Sequence, residues 1–130
     1  MHLFTYGTLM FPEVWKRISI DRFPSQPAKL PGYAIYRVKD AVYPGIISAD
    51  KESVVDGVLY DGIDEDTLFE LDTYESNFYE RIPVLAYTAD GLQVECQAYI
   101  VPNSRHEMLS NEPWDADQFR EQELEKYLHG

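Results

Sequence analysis

Six short segments rich in Val, Ile and Tyr, each bounded by Pro, Gly or Asp, constrain the fold of this chain most strongly. This composition and these boundaries are typical of β-strands. The segments span residues 3–6, 33–38, 45–47, 54–60, 82–88 and 94–101. Because several consecutive strands are joined by short links, we expect a small, mostly antiparallel β-barrel or a strongly curled sheet.

Three short helices are predicted to flank the strands. Pro12 suits the first position of a helix that runs to residue 18. Asp64 is a good N-cap for a helix over 65–74, and Asp115 or Asp117 could cap a final helix that ends at residue 128. Since strands outnumber helices, the sequence predicts an α+β fold in one domain over 1–130, and it disfavours a doubly wound fold of alternating strands and helices.

Charge and composition argue against several classes of binding partner. The net charge of −12 argues against nucleic acid and against an anionic membrane surface, which both require basic patches. Cys96 is the only cysteine, and His2, His106 and His129 lack the spacing of metal ligands. No signal peptide or membrane-spanning run is evident, so we expect a cytoplasmic protein without a metal site. A monomer and a homodimer are both compatible with the sequence.

Glu75 is the strongest candidate for chemistry. Leu68 and Leu71 lie on the apolar face of the predicted helix, and Glu75 is seven and four residues later, on the same face. Burial there would raise its pKa and prepare it for proton transfer near neutral pH. The alternative is that Glu75 lies just beyond the helix and points into water. For Asp72, near the same face, we favour local hydrogen bonding to the backbone.

The segment Tyr6-Gly7-Thr8-Leu9 predicts a strand that enters a tight turn. Gly7 would allow a ligand to approach the backbone closely, and successive amides after the strand can bind an anion. The alternative is an ordinary turn without a ligand. Arg81 could bind a substrate carboxylate or pair with one of the many acidic residues, and the ion pair is the favoured interpretation.

Five motifs in this order resemble the γ-glutamylcyclotransferase-like family, which includes AIG2-like and γ-glutamylamine cyclotransferase proteins. They span positions 6 to 81, and the strand pattern extends the resemblance over most of the chain. The motifs are Tyr6-Gly7-Thr8-Leu9, Tyr43-Pro44-Gly45, Val55-Asp56-Gly57-Val58-Leu59-Tyr60, Leu71-Asp72-Thr73-Tyr74-Glu75 and Tyr79-Glu80-Arg81.

The resemblance implies a small β-barrel flanked by helices, with no metal or organic cofactor. It implies that residues 6–9 hold the α-carboxylate end of a γ-glutamyl group and that Glu75 is the catalytic acid and base. The matching motifs also make Tyr43, Gly45, Tyr79 and Arg81 candidates for substrate binding. One departure is Ser76, since the family usually has Gly after this Glu.

Three functions are compatible with these residues. The favoured function is a cyclotransferase that releases 5-oxoproline and a free amine from a γ-glutamyl amine or γ-glutamyl amino acid. The second is a catalytically silent module that binds a small metabolite. The third is a hydrolase in which Glu75 activates water. The net negative charge favours a neutral or cationic leaving amine over an anionic one.

Overall fold

A closed five-stranded barrel lies at the centre of the fold in the computed structural model, which describes residues 1–19 and 21–129. The barrel has the strand order β1-β5-β2-β6-β7. All neighbouring strands are antiparallel except β1 and β7, whose parallel contact closes the barrel. The bounds are Leu3–Thr5 for β1, Ser25–Pro31 for β2, Val54–Tyr60 for β5, Glu80–Thr88 for β6 and Gln93–Ile100 for β7. The predicted α+β fold with a small, mostly antiparallel barrel is confirmed.

A second sheet, which the sequence did not predict, packs beside the barrel. It consists of β3 (Tyr33–Val38) between β4 (Pro44–Ser48) and β8 (Leu109–Pro113). Strands β2 and β8 were not predicted, because both contain proline and polar residues, which are rare in strands. Proline is tolerated in β2 because this strand pairs with β6 only at Ala28 and Lys29.

The three predicted helices begin where the sequence places them. Their bounds are Pro12–Ile18 for α1, Glu65–Glu75 for α2, Ala116–Gln122 for α3 and Leu124–His129 for α4. The Asp64 side chain accepts a hydrogen bond from the Thr67 amide, and the Asp115 side chain accepts bonds from two amides of α3. Within residues 1–19 and 21–129, no helix combines the length and apolar character needed to cross a membrane.

The prediction of one continuous final helix was wrong. The backbone leaves helical geometry at Glu123, so α3 and α4 are separate helices. The Glu123 carboxylate there accepts a hydrogen bond of 2.8 Å from Arg37 of β3. Helical periodicity does not indicate an ion pair between distant residues, so the sequence pattern predicts a single final helix.

Two layers of core are separated by the barrel wall. Along β1, alternate side chains point to opposite faces, so that Phe4 fills the barrel and Leu3 packs in the layer shared with the helices. Phe119 of α3 and Leu124 of α4 are buried in that outer layer. The C-terminal helices therefore pack on the barrel. Cys96 lies in the inner layer, and burial raises its pKa to about 11.

Candidate active site

A cleft with a volume of about 280 Å³ brings together most of the predicted site residues. This volume is near the lower end of the range for small-molecule sites. The walls come from β1 and the turn after it, the start of β4, the end of α2 with the turn after it, β7 and α4. The lining residues are Phe4, Thr5, Tyr6, Gly7, Thr8, Leu9, Tyr43, Pro44, Tyr74, Glu75, Ser76, Phe78, Tyr79, Tyr99 and Tyr127.

Glu75 is the last residue of α2 and lines this cleft. Leu71, one turn earlier on the same face, is fully buried, so the helix face predicted from spacing is the face that packs on the barrel. The helix stops directly after Glu75, where the Ser76 amide donates to the Asp72 carbonyl. Glu75 is half-buried, and it does not extend past the helix into water.

The environment of the Glu75 carboxyl favours its neutral form. In the part of the chain that the structure describes, no side chain or amide donates a hydrogen bond to it and no cation pairs with it. Burial raises the pKa of Glu75 to about 8, because desolvation penalises the charged carboxylate. A carboxyl group with this pKa can both accept and donate a proton near neutral pH.

Asp72 has a different role from the predicted one. It accepts hydrogen bonds from Arg81 Nε at 2.9 Å and Nη2 at 3.2 Å, and from the Tyr99 hydroxyl at 2.6 Å. The prediction of local bonding to the backbone was therefore wrong. Helical spacing indicates the face on which Asp72 lies, but not which side chains β6 and β7 bring to it.

The turn after β1 is closed by a 3₁₀ turn over Thr8–Met10. The Met10 amide donates to the Gly7 carbonyl at 3.0 Å, while the Thr8 and Leu9 amides precede this first bond and have no described backbone acceptor. A Cβ atom at Gly7 would lie 2.9 Å from Pro44 Cγ, so the two motifs pack too closely for a side chain there. Amides without a backbone partner among the described residues can bind an anion.

The remaining predicted residues divide into two groups. Tyr43 and Tyr79 line the cleft, and the Tyr79 hydroxyl donates to the Pro44 carbonyl at 2.7 Å. Gly45 and Arg81 do not line it. A Cβ atom at Gly45 would clash with Val101 Cγ2, so close packing requires glycine at this position. Arg81 forms the favoured ion pair with Asp72.

Three tyrosines that sequence reasoning did not assign to the site also line the cleft. They are Tyr74 of α2, Tyr99 of β7 and Tyr127 of α4. The Tyr74 hydroxyl is hydrogen-bonded to Thr8 Oγ1 at 2.9 Å and to the Tyr127 hydroxyl. Tyr74 belongs to one of the five motifs. Tyr99 and Tyr127 had no signal beyond the large number of tyrosines, ten in 130 residues, which does not distinguish wall residues from others.

Burial keeps four phenols of the cleft neutral, those of Tyr6, Tyr74, Tyr79 and Tyr99. Burial, and then the nearby Glu75 charge, raise the pKa of Tyr6 well above its usual value. Burial is also the largest cause that raises the pKa values of Tyr74, Tyr79 and Tyr99. The cleft therefore presents hydroxyl dipoles beside a single ionisable carboxyl group at physiological pH.

Ser76 has a backbone conformation that usually requires glycine. Its φ of 64° and ψ of −171° lie in a region that side chains strongly disfavour. The sequence departs from glycine here, but the backbone keeps the glycine geometry. Strain is thus located in the residue that follows Glu75, at the edge of the cleft.

A second depression, of about 570 Å³, lies beside α1 around Trp15 and Phe23. It is larger, but it contains none of the predicted site residues. We therefore assign the candidate active site to the cleft at Glu75.

Comparison with known proteins identifies the family. The family model "Gamma-glutamyl cyclotransferase, AIG2-like" matches residues 3–116. The chain belongs to this family. It is 35% identical over 130 residues to AIG2-like protein C of Arabidopsis thaliana, a match that covers 97% of this chain and 73% of that protein. The family includes γ-glutamyl cyclotransferases.

Solved structures of other proteins have the same fold. The solution structure of an Arabidopsis thaliana protein with 29% identity superposes with a TM-score of 0.76 and covers 98% of this chain and 77% of its own. A structure named as a gamma-glutamyl cyclotransferase, with 20% identity, has a TM-score of 0.66 and covers 78% of this chain and 66% of its own. At that identity the likeness concerns the fold.

Proposed function

We propose that this AIG2-like protein is a γ-glutamyl cyclotransferase. In the reaction, the substrate's neutral α-amine attacks its own side-chain amide carbonyl. A new C–N bond closes a five-membered ring, the old amide C–N bond breaks, and 5-oxoproline and a free amine are released. Because the reaction is intramolecular, holding the reacting groups together supplies much of the acceleration, with effective molarities of about 10⁵ to 10⁸ M in well-oriented systems.

The observation that supports this proposal most directly is the Glu75 carboxyl group, with its pKa raised to about 8 and no paired cation among the described residues. The attacking amine must lose a proton and the leaving nitrogen must gain one. Glu75 accepts the first proton as a carboxylate and delivers a proton to the leaving nitrogen as an acid. General acid–base catalysis of this kind contributes about 10²- to 10⁴-fold.

The turn at Gly7 is the proposed site for the α-carboxylate of the substrate. The free amides of Thr8 and Leu9 and the Thr8 hydroxyl can donate to it. Pro44 occupies the space that a side chain at position 7 would need, so the turn requires glycine there. This assignment agrees with the family resemblance of the Tyr6-Gly7-Thr8-Leu9 motif.

The leaving amine is proposed to be neutral or cationic. The described lining of the cleft contains no Lys, Arg or His, and its only carboxyl group is Glu75. A leaving group with its own carboxylate would find no cation there. Aromatic rings at Tyr43, Phe78 and Tyr79 favour an apolar or aromatic portion instead. As the sequence predicts, this protein would act in the cytoplasm as a monomer or homodimer.

The deciding experiment measures 5-oxoproline release from γ-glutamyl amines, γ-glutamyl amino acids and glutathione. Wild-type protein is compared with Glu75→Gln and with the control Glu70→Gln, which changes an exposed carboxylate on the same helix. We expect release by wild type and the control, but not by Glu75→Gln. Release of free glutamate would indicate a hydrolase. Absence of any product, with substrate still bound, would indicate a binding module.

A further inference from the structure

We propose that Tyr127 of α4 is a positioning residue of the cleft, which acts through Tyr74 to make the Thr8 hydroxyl donate to the carboxylate of the ligand. The proposal rests on the proposed function, because it assumes that a carboxylate binds beside Thr8. The structure brings Tyr127 to the cleft from a position 53 residues after Tyr74 in the chain.

Three hydroxyl groups form a continuous chain here. Thr8 Oγ1 and the Tyr74 hydroxyl are 2.9 Å apart, and the Tyr74 and Tyr127 hydroxyls are hydrogen-bonded to each other. Each hydroxyl has one proton to donate, so two protons occupy the two links and the third remains free. The direction of the two hydrogen bonds decides which hydroxyl keeps the free proton.

A carboxylate bound beside Thr8 favours one direction of these hydrogen bonds. If Tyr127 donates to Tyr74 and Tyr74 donates to Thr8, the free proton lies on Thr8 and can be donated to the anion. In the reverse direction, Thr8 uses its proton on Tyr74 and offers the anion only lone pairs. Hydrogen bonds in such a chain also strengthen one another, so the Tyr127 hydroxyl improves Tyr74 as a donor.

The position of Tyr127 is well supported. Its ring packs edge-on against the buried Phe119, with 5.7 Å between ring centroids. Leu124, one turn earlier in α4, is buried in the same core layer. Just before α4, Glu123 is paired with Arg37 at 2.8 Å, and both side chains are largely buried, at 15% and 24% exposure. A hydroxyl held this firmly can orient its neighbour at little entropic cost.

The test measures equilibrium binding, so it does not depend on turnover. Affinities for 5-oxoproline and for its uncharged counterpart 5-oxoprolinamide are compared in wild type, Tyr127→Phe, Tyr74→Phe and the double variant. Phe retains the ring that packs on Phe119, and Tyr87→Phe on the exposed side of β6 is the matched control. Thermal unfolding confirms that each variant is folded.

We expect Tyr127→Phe to weaken 5-oxoproline binding about three- to fivefold, within the range for one hydrogen bond in a network, and to leave 5-oxoprolinamide binding unchanged. In the Tyr74→Phe background, Tyr127→Phe should not weaken 5-oxoproline binding further, because the link between Tyr127 and Thr8 is already lost. Equal losses for both probes, equal losses in both backgrounds, or no loss at all would each overturn the proposal. If binding follows this pattern but no 5-oxoproline is released from any substrate, the proposed function alone fails.

Discussion

Asp72 and Glu75 are carboxyl groups one helical turn apart on α2, but their surroundings differ. Asp72 accepts three hydrogen bonds from Arg81 and Tyr99, which β6 and β7 bring to it. Glu75 faces the cleft, and no described cation pairs with it. The first carboxylate thus connects the helix to the barrel, and the second is left with a pKa raised to about 8 by burial. The partners from other strands, and not the residue type, separate a structural carboxylate from a candidate catalytic one.

Replacing Glu75 should have the largest effect, and the property that changes should be catalytic turnover and not stability. Glu75→Gln removes the proton acceptor and donor but keeps the shape of the side chain. We expect turnover to fall by about 10²- to 10⁴-fold while the folded state is retained, since no described partner loses a bond. Steady-state kinetics and thermal unfolding measure the two quantities. A large loss of melting temperature with Glu75→Gln or Glu75→Ala would instead assign this carboxyl a structural role.

Replacing Asp72 should show the opposite pattern. Asp72→Asn leaves the partly buried Arg81 guanidinium without its counter-charge, so we expect the free energy of unfolding to fall by about 1–3 kcal/mol. Chemical denaturation measures this loss. The control is Asp56→Asn, which breaks an ion pair to Lys29 whose side chains are 79% and 67% exposed, and should cost less than about 1 kcal/mol. Equal losses for the two variants would show that Asp72 is no more important than a surface residue.

The pH dependence of stability tests the raised pKa of Glu75. The pKa of Glu75 is raised from an ordinary value near 4.5 to about 8 in the folded protein. The stability it contributes is complete below pH 4.5 and is lost as pH rises towards 8, because only the unfolded state releases the proton in that window. Wild type should therefore lose roughly 1 kcal/mol per pH unit relative to Glu75→Gln across this window. Denaturation of both proteins at several pH values measures the difference, and a constant difference would refute a raised pKa.

The ionisation of Glu75 should also determine how kcat/KM depends on pH. Glu75 must be a carboxylate to accept the proton of the amine, so kcat/KM is expected to rise with pH through an acidic limb near pH 8. A limb near pH 4.5 would mean that Glu75 is solvated like an ordinary glutamate.

The smallest effect concerns the residue next to Glu75. Ser76→Gly removes a side chain from a conformation with φ of 64° and ψ of −171°, so we expect a gain of about 1 kcal/mol in stability. Asp40→Gly is the control, because Asp tolerates its positive φ of 58° better than Ser tolerates the conformation at 76. Denaturation midpoints measure both. A destabilised Ser76→Gly would show that the serine side chain contributes more than its strain costs.

Local features of the sequence were sufficient for much of the fold. The helices begin as predicted at Pro12, after Asp64 and after Asp115. Caps and turns depend on residues close in sequence, so they can be recognised there. The strands β2 and β8 were missed because their pairing with distant strands outweighs a weak local preference.

Helical periodicity depends only on spacing, so the amino-acid sequence alone predicts that α2 presents Leu71 and Glu75 on one face. Tertiary packing brings Arg81 and Tyr99 to Asp72, but it brings no described cation to Glu75. Packing also places Tyr127 of α4 at the cleft. The pKa of Glu75 and the hydroxyl chain both depend on which groups surround a side chain. Those neighbours come from segments far apart in sequence, so packing and not local pattern decides them.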